Sequence, residues 1–317
     1  MSWDSYSSEL FQGSELTEDW IEKCAAYLRF IFGESLDGER VLDYGFGRGN
    51  WSLAFEKLGA TRVNAVDISQ RNVEVFSRIV AERSLENCIK CYQSDFQKRN
   101  QLLVGHSLIW LYGIFQHLNE PKELLINILK SDTHAEHGLL YAYEKNSIRS
   151  HVIAAFREFM DAPLDPAVLS KSKSSFADVR TYRRCIDDYC APTVNFFEES
   201  EIFELFEEIM PKASITRVPS FMNFLGDEVQ ECDFSAIHIH FSLTKVARLS
   251  KVDRQIVSNF PSEITNTLNE FMHATRFKNM QWKLKFLIDF HNAYYSCKNV
   301  TELLQLLVSF PRLVKLK

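Results

Sequence analysis

Apolar positions recur every three to four residues from Trp20 through Ile21, Cys24, Leu28 and Ile31, a stripe whose spacing predicts a helix buried along one side. Thr17 stands at its start as a cap, and Glu18 and Asp19 follow where negative charge suits the helix dipole. From Val41 the period changes. Short β-type runs at 40–44, 62–66, 89–92, 107–111 and 138–143 alternate with helical patterns at 51–58, 72–83 and 121–129. That alternation predicts an α/β fold, a parallel sheet with helices on both faces.

After the fifth strand the rhythm breaks. Residues 146–190 hold a helix-like piece at 150–160, a Pro/Asp stretch and a Lys/Ser-rich run at Lys171–Ser175. So long a connection predicts an insert that shapes a substrate pocket. A helix at 198–209 follows, then strands at 214–218 and 235–245, the second alternating through Ile237, Ile239, Phe241 and Leu243. With no helix between them, these two are expected to pair antiparallel. Residues 246–317 read as a helical extension, with Leu268, Phe271 and Met272, then Leu303, Leu304 and Leu307, at helical spacing. Asn299 and Glu302 are expected to cap its last helix. The expected division is a helical lid at 1–37, a ligand-binding domain at 38–245 and the extension at 246–317, whose helices offer a surface for a homodimer.

Composition narrows the classes. Of 317 residues, 46% are hydrophobic and 25% charged, which supports a large core and excludes disorder as the main state. The net charge of −6 gives no general attraction to nucleic acid. From residue 245 onward twelve basic residues face five acidic ones, so the remainder is the more acidic. No apolar run approaches the ~18 residues of a membrane span, and the opening Met-Ser-Trp-Asp-Ser lacks a basic or apolar leader. A cytoplasmic location is the expectation. Seven cysteines without framework spacing fit reduced thiols. Cys88 and Cys91 have metal-ligand spacing, but Cys185 and Cys190 lie far off in sequence, so buried thiols are expected there and no metal. His238 and His240 share one strand face, where packing is again the simpler reading.

The chemistry concentrates in Val41-Leu-Asp-Tyr-Gly-Phe-Gly-Arg-Gly-Asn-Trp. A strand ends in an acid, and Gly45, Gly47 and Gly49 then turn the chain into a helix, the geometry of a nucleotide site. A dinucleotide fingerprint would have glycine at 50, where Asn stands. Asp43 would also repel a pyrophosphate and suits a ligand with a positive amine. Asp67 ends the second strand, where a carboxylate can accept both ribose hydroxyls, and Asp95 follows the third.

With these residues in place, the sequence resembles the class I S-adenosylmethionine-dependent methyltransferases over roughly residues 38–245. The resemblance implies a Rossmann-like seven-stranded sheet, mostly parallel with a terminal antiparallel strand, and S-adenosylmethionine as cofactor. It implies that Asp43 and the Gly45–Gly49 loop hold the methionine part, that Asp67 holds the ribose, and that Asp95 reaches the adenine amino group between Ile68 and Phe96. Tyr112 belongs to the segment that runs beneath the reactive methyl. Phe46, standing where many relatives carry Cys or Ala, is expected to narrow the loop.

In-line methyl transfer draws much of its rate from positioning and needs a base only where the acceptor loses a proton. His117 is the candidate base, and Tyr143, Glu144 and Asn146 are expected to face the acceptor. The segment from Asp187 and Asp188 to Phe197 is similar to one that crosses the acceptor site in members acting on sugars and other small metabolites. A solvated acidic turn is the competing reading of those two residues. Tyr6, Phe11 and Trp20 form a candidate aromatic lid. The acidic body favours a small or cationic acceptor. The alternatives are an RNA-modifying enzyme with the basic tail on phosphate, attack at another sulfonium carbon with release of methylthioadenosine, and a non-enzymatic binding role.

Overall fold

The computed structural model describes residues 3–11, 16–95, 105–131, 135–225, 236–243 and 278–297, with six positions between 302 and 309. Phe96 and most of the expected C-terminal extension, including Leu268, Phe271, Met272 and Asn299, lie outside the described residues.

Seven strands form one sheet. β1 (Arg40–Tyr44), β2 (Arg62–Asp67), β3 (Ile89–Gln93), β4 (Leu108–Leu111) and β5 (His137–Tyr143) are joined by β6 (Ser214–Arg217) and β7 (Ala236–Ser242). The spatial order is β3-β2-β1-β4-β5-β7-β6. Val41 of β1 pairs in parallel with Val63 on one side and Leu108 on the other. The order therefore reverses between β1 and β4, and a crevice opens beyond their carboxyl ends, where open α/β sheets bind ligands. β7 is antiparallel to both β5 and β6, so the antiparallel strand that ends the series in the chain sits second from the edge in space. All four residues of β4 and four of the five in β1 are buried, as expected for strands covered on both faces.

One face is covered by α2 (Glu18–Phe32), α3 (Asn50–Lys57) and α4 (Gln70–Glu82), around Tyr27, Phe55, Phe76 and Trp110. The Thr17 side chain caps α2 by accepting from the Trp20 N–H. The other face is covered by α5 (Pro121–Ser131) and α9 (Glu199–Ile209), around Leu125, Ile128 and Phe206. The predicted element bounds agree with these to within two residues, apart from the run expected at 235–245, whose strand is Ala236–Ser242.

The insert departs from expectation. It holds three helices, α6 (Ile148–Phe159), α7 (Pro166–Ser170) and α8 (Val179–Cys190), where the sequence reading had one. α8 is rich in charge, but Tyr182, Cys185, Ile186, Tyr189 and Cys190 are buried at helical spacing, and Asp188 is buried with them. A solvated acidic turn is thus corrected to a buried helix end. A short α10 (Phe221–Phe224) packs on α2, and α11 (Met280–Tyr294) docks against the insert, with Phe156 of α6 5.7 Å from Phe286 and 4.9 Å from Phe290. One face of α11 is therefore buried within its own chain, while Met280, Lys285 and Asp289 stay exposed. Among the described residues no helix is long and apolar enough to cross a membrane, and no group of three or more His, Cys, Asp or Glu could hold a metal ion. Cys88 and Cys91 are half-buried free thiols, and His238 and His240 are buried against aromatic rings.

Candidate active site

β1 delivers Asp43 and then a turn in which Gly45, Gly47 and Gly49 all take positive φ, +76°, +56° and +86°. A side chain at 49 would start 2.0 Å from the Phe76 ring, and one at 47 would start 2.8 Å from the Phe11 ring. Only glycine lets the Phe76 and Phe11 rings close so tightly on this turn. β2 delivers Asp67, whose carboxylate accepts from the Gly47 N–H at 3.0 Å and the Ser69 N–H at 2.8 Å, tying the two strand ends together. Burial pushes the Asp67 carboxyl up to about 6 against those bonds. Burial also pushes Asp43 up to about 7, against the Ser52 hydroxyl that donates to it at 2.5 Å and with the charge of Asp67 nearby.

Over this turn lies α1 (Trp3–Leu10). Asp4 accepts from the Ser69 hydroxyl at 2.7 Å, Glu9 accepts from the Tyr182 hydroxyl at 2.9 Å, and Arg48 donates to the Phe11 carbonyl. Tyr6 donates to Asp187 at the end of α8. A cavity of about 100 Å³ remains beneath α1, lined by Gly45, Gly47, Asp67, Ile68, Asn72 and His117 among others. It continues into an open cleft of about 660 Å³ walled by Trp20, Trp51 and Tyr112 and by Arg48, Arg183 and Arg184. Tyr112 stacks between Trp110 and Tyr141, at 5.5 and 5.1 Å, on the β4–β5 surface.

Where cavity and cleft meet stands a buried polar cluster. Asp187 accepts from Tyr143 at 2.8 Å as well as from Tyr6, and the His117 Nε2 lies 3.2 Å from it. The other ring nitrogen of His117, Nδ1, meets the Thr193 carbonyl at 3.0 Å. Behind it, Arg149 donates to Asp188 at 2.9 Å and to Tyr143 at 3.2 Å. Burial alone would lower the His117 pKa, but the Asp187 carboxylate beside it and the Thr193 carbonyl carry it above the ordinary value. Burial likewise opposes the charge of Asp187, and His117, Tyr6 and Tyr143 together hold it well below the usual carboxylate range.

The structure thus brings together Tyr6, Gly45, Phe46, Gly47, Asp67, Ile68, Tyr112, His117, Tyr143, Asp187 and Asp188, with Asp43 and Gly49 supporting the turn from beneath. Three expected residues stand elsewhere. Glu144 follows Tyr143 with its side chain 3.9 Å from Arg217, away from the cavity, because successive strand residues face opposite sides. Asn146 is exposed in the turn after β5, and Asp95 is exposed beyond β3 and lines neither opening. Phe46 lines the cleft, and its ring packs on Phe76, 5.1 Å between centroids. The sequence reading had missed Arg48, Arg183, Arg184, Trp51 and Asn72. Arg48 lies within the glycine turn itself, and the paired arginines lie one turn before Asp187, so position alone could have flagged them.

Residues 41–131 match the family described as "Methyltransferase domain". No curated protein matches the chain. Among solved structures, the YcgJ protein from Bacillus subtilis is similar at 14% identity with a TM-score of 0.47, covering 71% of this chain and 99% of that one. The magnesium protoporphyrin IX methyltransferase of Synechocystis PCC 6803 with bound SAH is similar at 14% identity and TM-score 0.45, covering 75% and 93%. The N-terminal domain of EvdMO1 with SAH bound is similar at 12% identity and TM-score 0.44, covering 71% and 80%.

Proposed function

On the match of residues 41–131 to the methyltransferase-domain family, we propose that the chain binds S-adenosylmethionine beneath α1 and transfers a methyl group to a small molecule held in the adjoining cleft. The observation that carries this reading is continuity. Gly45, Gly47, Gly113 and Asp187 line both the cavity and the cleft, so a cofactor and an acceptor seated in them meet at one boundary, as an in-line displacement requires.

The donor set fits the cofactor. Asp67 offers a buried carboxylate to vicinal hydroxyls and Ile68 an apolar side to a base, while Asp43, bonded to the Ser52 hydroxyl in the core, lines neither opening and supports the turn from beneath. Bound there, S-adenosylmethionine supplies an electrophilic methyl on a sulfonium. His117 is assigned to positioning. With one ring nitrogen on the Thr193 carbonyl and the other facing Asp187, the imidazole is held as a cation that fixes this carboxylate. Tyr6 and Tyr143 fix it from two further sides. The chain's contribution is orientation and exclusion of water under α1 rather than a mobile base.

The test is mass spectrometry of the purified full chain with S-adenosylmethionine, alone and with a metabolite extract. S-adenosylhomocysteine formed only with extract is expected, and Asp67→Ala should abolish cofactor binding in calorimetry. Methylthioadenosine formed instead, or undiminished binding by Asp67→Ala, overturns the reading.

A further inference from the structure

Three elements far apart in sequence converge on Asp187. Tyr6 of α1 donates to its Oδ1, the His117 Nε2 lies 3.2 Å from the same oxygen, and Tyr143 at the end of β5 donates to Oδ2 at 2.8 Å. A carboxylate oxygen offers two lone pairs, and among the described residues Oδ2 accepts one bond, from Tyr143. The Asp187 side chain also stays 26% exposed, against 5% for the imidazole beside it. It lines both the cavity and the cleft, so a group bonded to it lies where the two meet. Against burial, His117 and the two hydroxyls hold it ionised.

An ionised carboxylate at the point of transfer sorts nucleophiles by charge. A thiolate, an enolate or a carboxylate is repelled by it. An amine of ordinary basicity arrives as an ammonium, and the neighbouring anion favours that charged form, which has no lone pair to give. A neutral hydroxyl meets neither obstacle. It donates a charge-assisted hydrogen bond to the carboxylate and keeps its lone pairs for the methyl.

We propose that the acceptor is a hydroxyl compound whose O–H donates to Asp187 Oδ2, and that the methyl is delivered to that oxygen. The oxygen's lone pair forms the bond to the methyl carbon, and the carbon–sulfur bond breaks with its electron pair going to sulfur. The hydroxyl proton passes to Oδ2 as the oxygen turns acidic, and from there to solvent through the cleft. A base as weak as this carboxylate suffices, because the proton is released only as the new bond forms. His117, Tyr6 and Tyr143 act through Asp187 as positioning residues. The proposal narrows the small-molecule acceptor to a hydroxyl compound and rests on the methyl-transfer reading above.

The test incubates the full chain with a metabolite extract and S-adenosylmethionine carrying an isotope label in its methyl carbon. The magnetic resonance shift of the labelled methyl in the product tells oxygen from nitrogen, sulfur and carbon, and alkali, which cleaves an ester and not an ether, identifies methyl esters. A methyl ether is expected. A methyl ester, or a labelled methyl on any other atom, overturns the proposal and leaves methyl transfer standing. No labelled product, or methylthioadenosine in its place, removes the methyl-transfer reading beneath it. The compound so identified is then titrated into the S-adenosylhomocysteine complex, where no transfer can occur. Asp187→Asn should weaken its binding at least about tenfold, while S-adenosylhomocysteine binds as it does to the parent and so certifies the fold. Acceptor affinity left at the parent's value by Asp187→Asn shows a structural anchor, and the proposal falls.

Discussion

Asp43 and Asp67 are neighbouring carboxylates that burial has raised, from an ordinary 3.8 to about 7 and about 6. A carboxyl that holds its proton more tightly folded than unfolded stabilises the fold below the unfolded value, and the contribution drains away as pH rises through the folded one. The cofactor-free protein should therefore lose stability between about pH 4 and pH 7. Asp43→Asn should flatten that fall, melting several degrees above the parent at pH 8 and together with it at pH 5. Equal melting temperatures at pH 8 would refute this. The Asp187–His117 pair behaves differently, since each ion depends on the other. Asp187→Asn should cost roughly 3 kcal/mol in urea denaturation, as for other broken buried pairs, and let the His117 pKa fall. A variant of parental stability whose His117 titrates unchanged would contradict the pairing. Legibility also differs at this scale. Asp43, the three glycines and Asp67 were readable because a strand-to-helix turn is local chemistry. Tyr6, His117, Tyr143, Asp187 and Asp188 were each named as candidates, but their pairing was not legible, since Tyr6 reaches Asp187 across 181 positions and Tyr143 across 44. Tyr143 and Glu144 could have been separated by strand parity alone, because adjacent residues of a strand cannot both face one site.

Elements explain the remaining gaps. α8 escaped the sequence reading because Arg180, Arg183, Arg184, Asp187 and Asp188 obscure a regular apolar stripe, and the buried face shows only when positions 182, 185, 186, 189 and 190 are taken together. The β-runs were legible almost to the residue because strands buried on both faces are nearly continuous apolar segments. α1 is a different case, a short helix whose place is set by what it grips. Gly47→Ala should add about 1 kcal/mol of backbone strain and push on the tip of the Phe11 ring, 2.8 Å away, loosening α1 while the body stays folded. Gly49→Ala meets the Phe76 ring at 2.0 Å inside the core and should lower the melting temperature far more. Limited proteolysis of the N-terminal turns beside a melting curve tells them apart, and equal behaviour of the two variants would show that α1 is not pinned there.

At the scale of the molecule, the sheet and the insert have separate cores. Phe156, Phe286, Leu287 and Phe290 join α6, α8 and α11 into a cluster of their own. Phe290→Ala should cost about 3–5 kcal/mol, with hydrogen exchange rising first in α6 and α8 while β1 and β4 stay protected. Uniform loss of protection would show a single cooperative core instead. α8 belongs to this second body yet carries Asp187 in its last turn, where Tyr6 of α1 donates to it from the other side. α1 and α8 thus share one anchor. By linkage, whatever factor closure of α1 adds to acceptor affinity, a bound acceptor must return to the closed state of α1. On the proposed placement, with the cofactor beneath that helix and the acceptor beside it, the sequence of events would be ordered: the nucleoside would go in first and come out last, after the methylated product has let go of the latch.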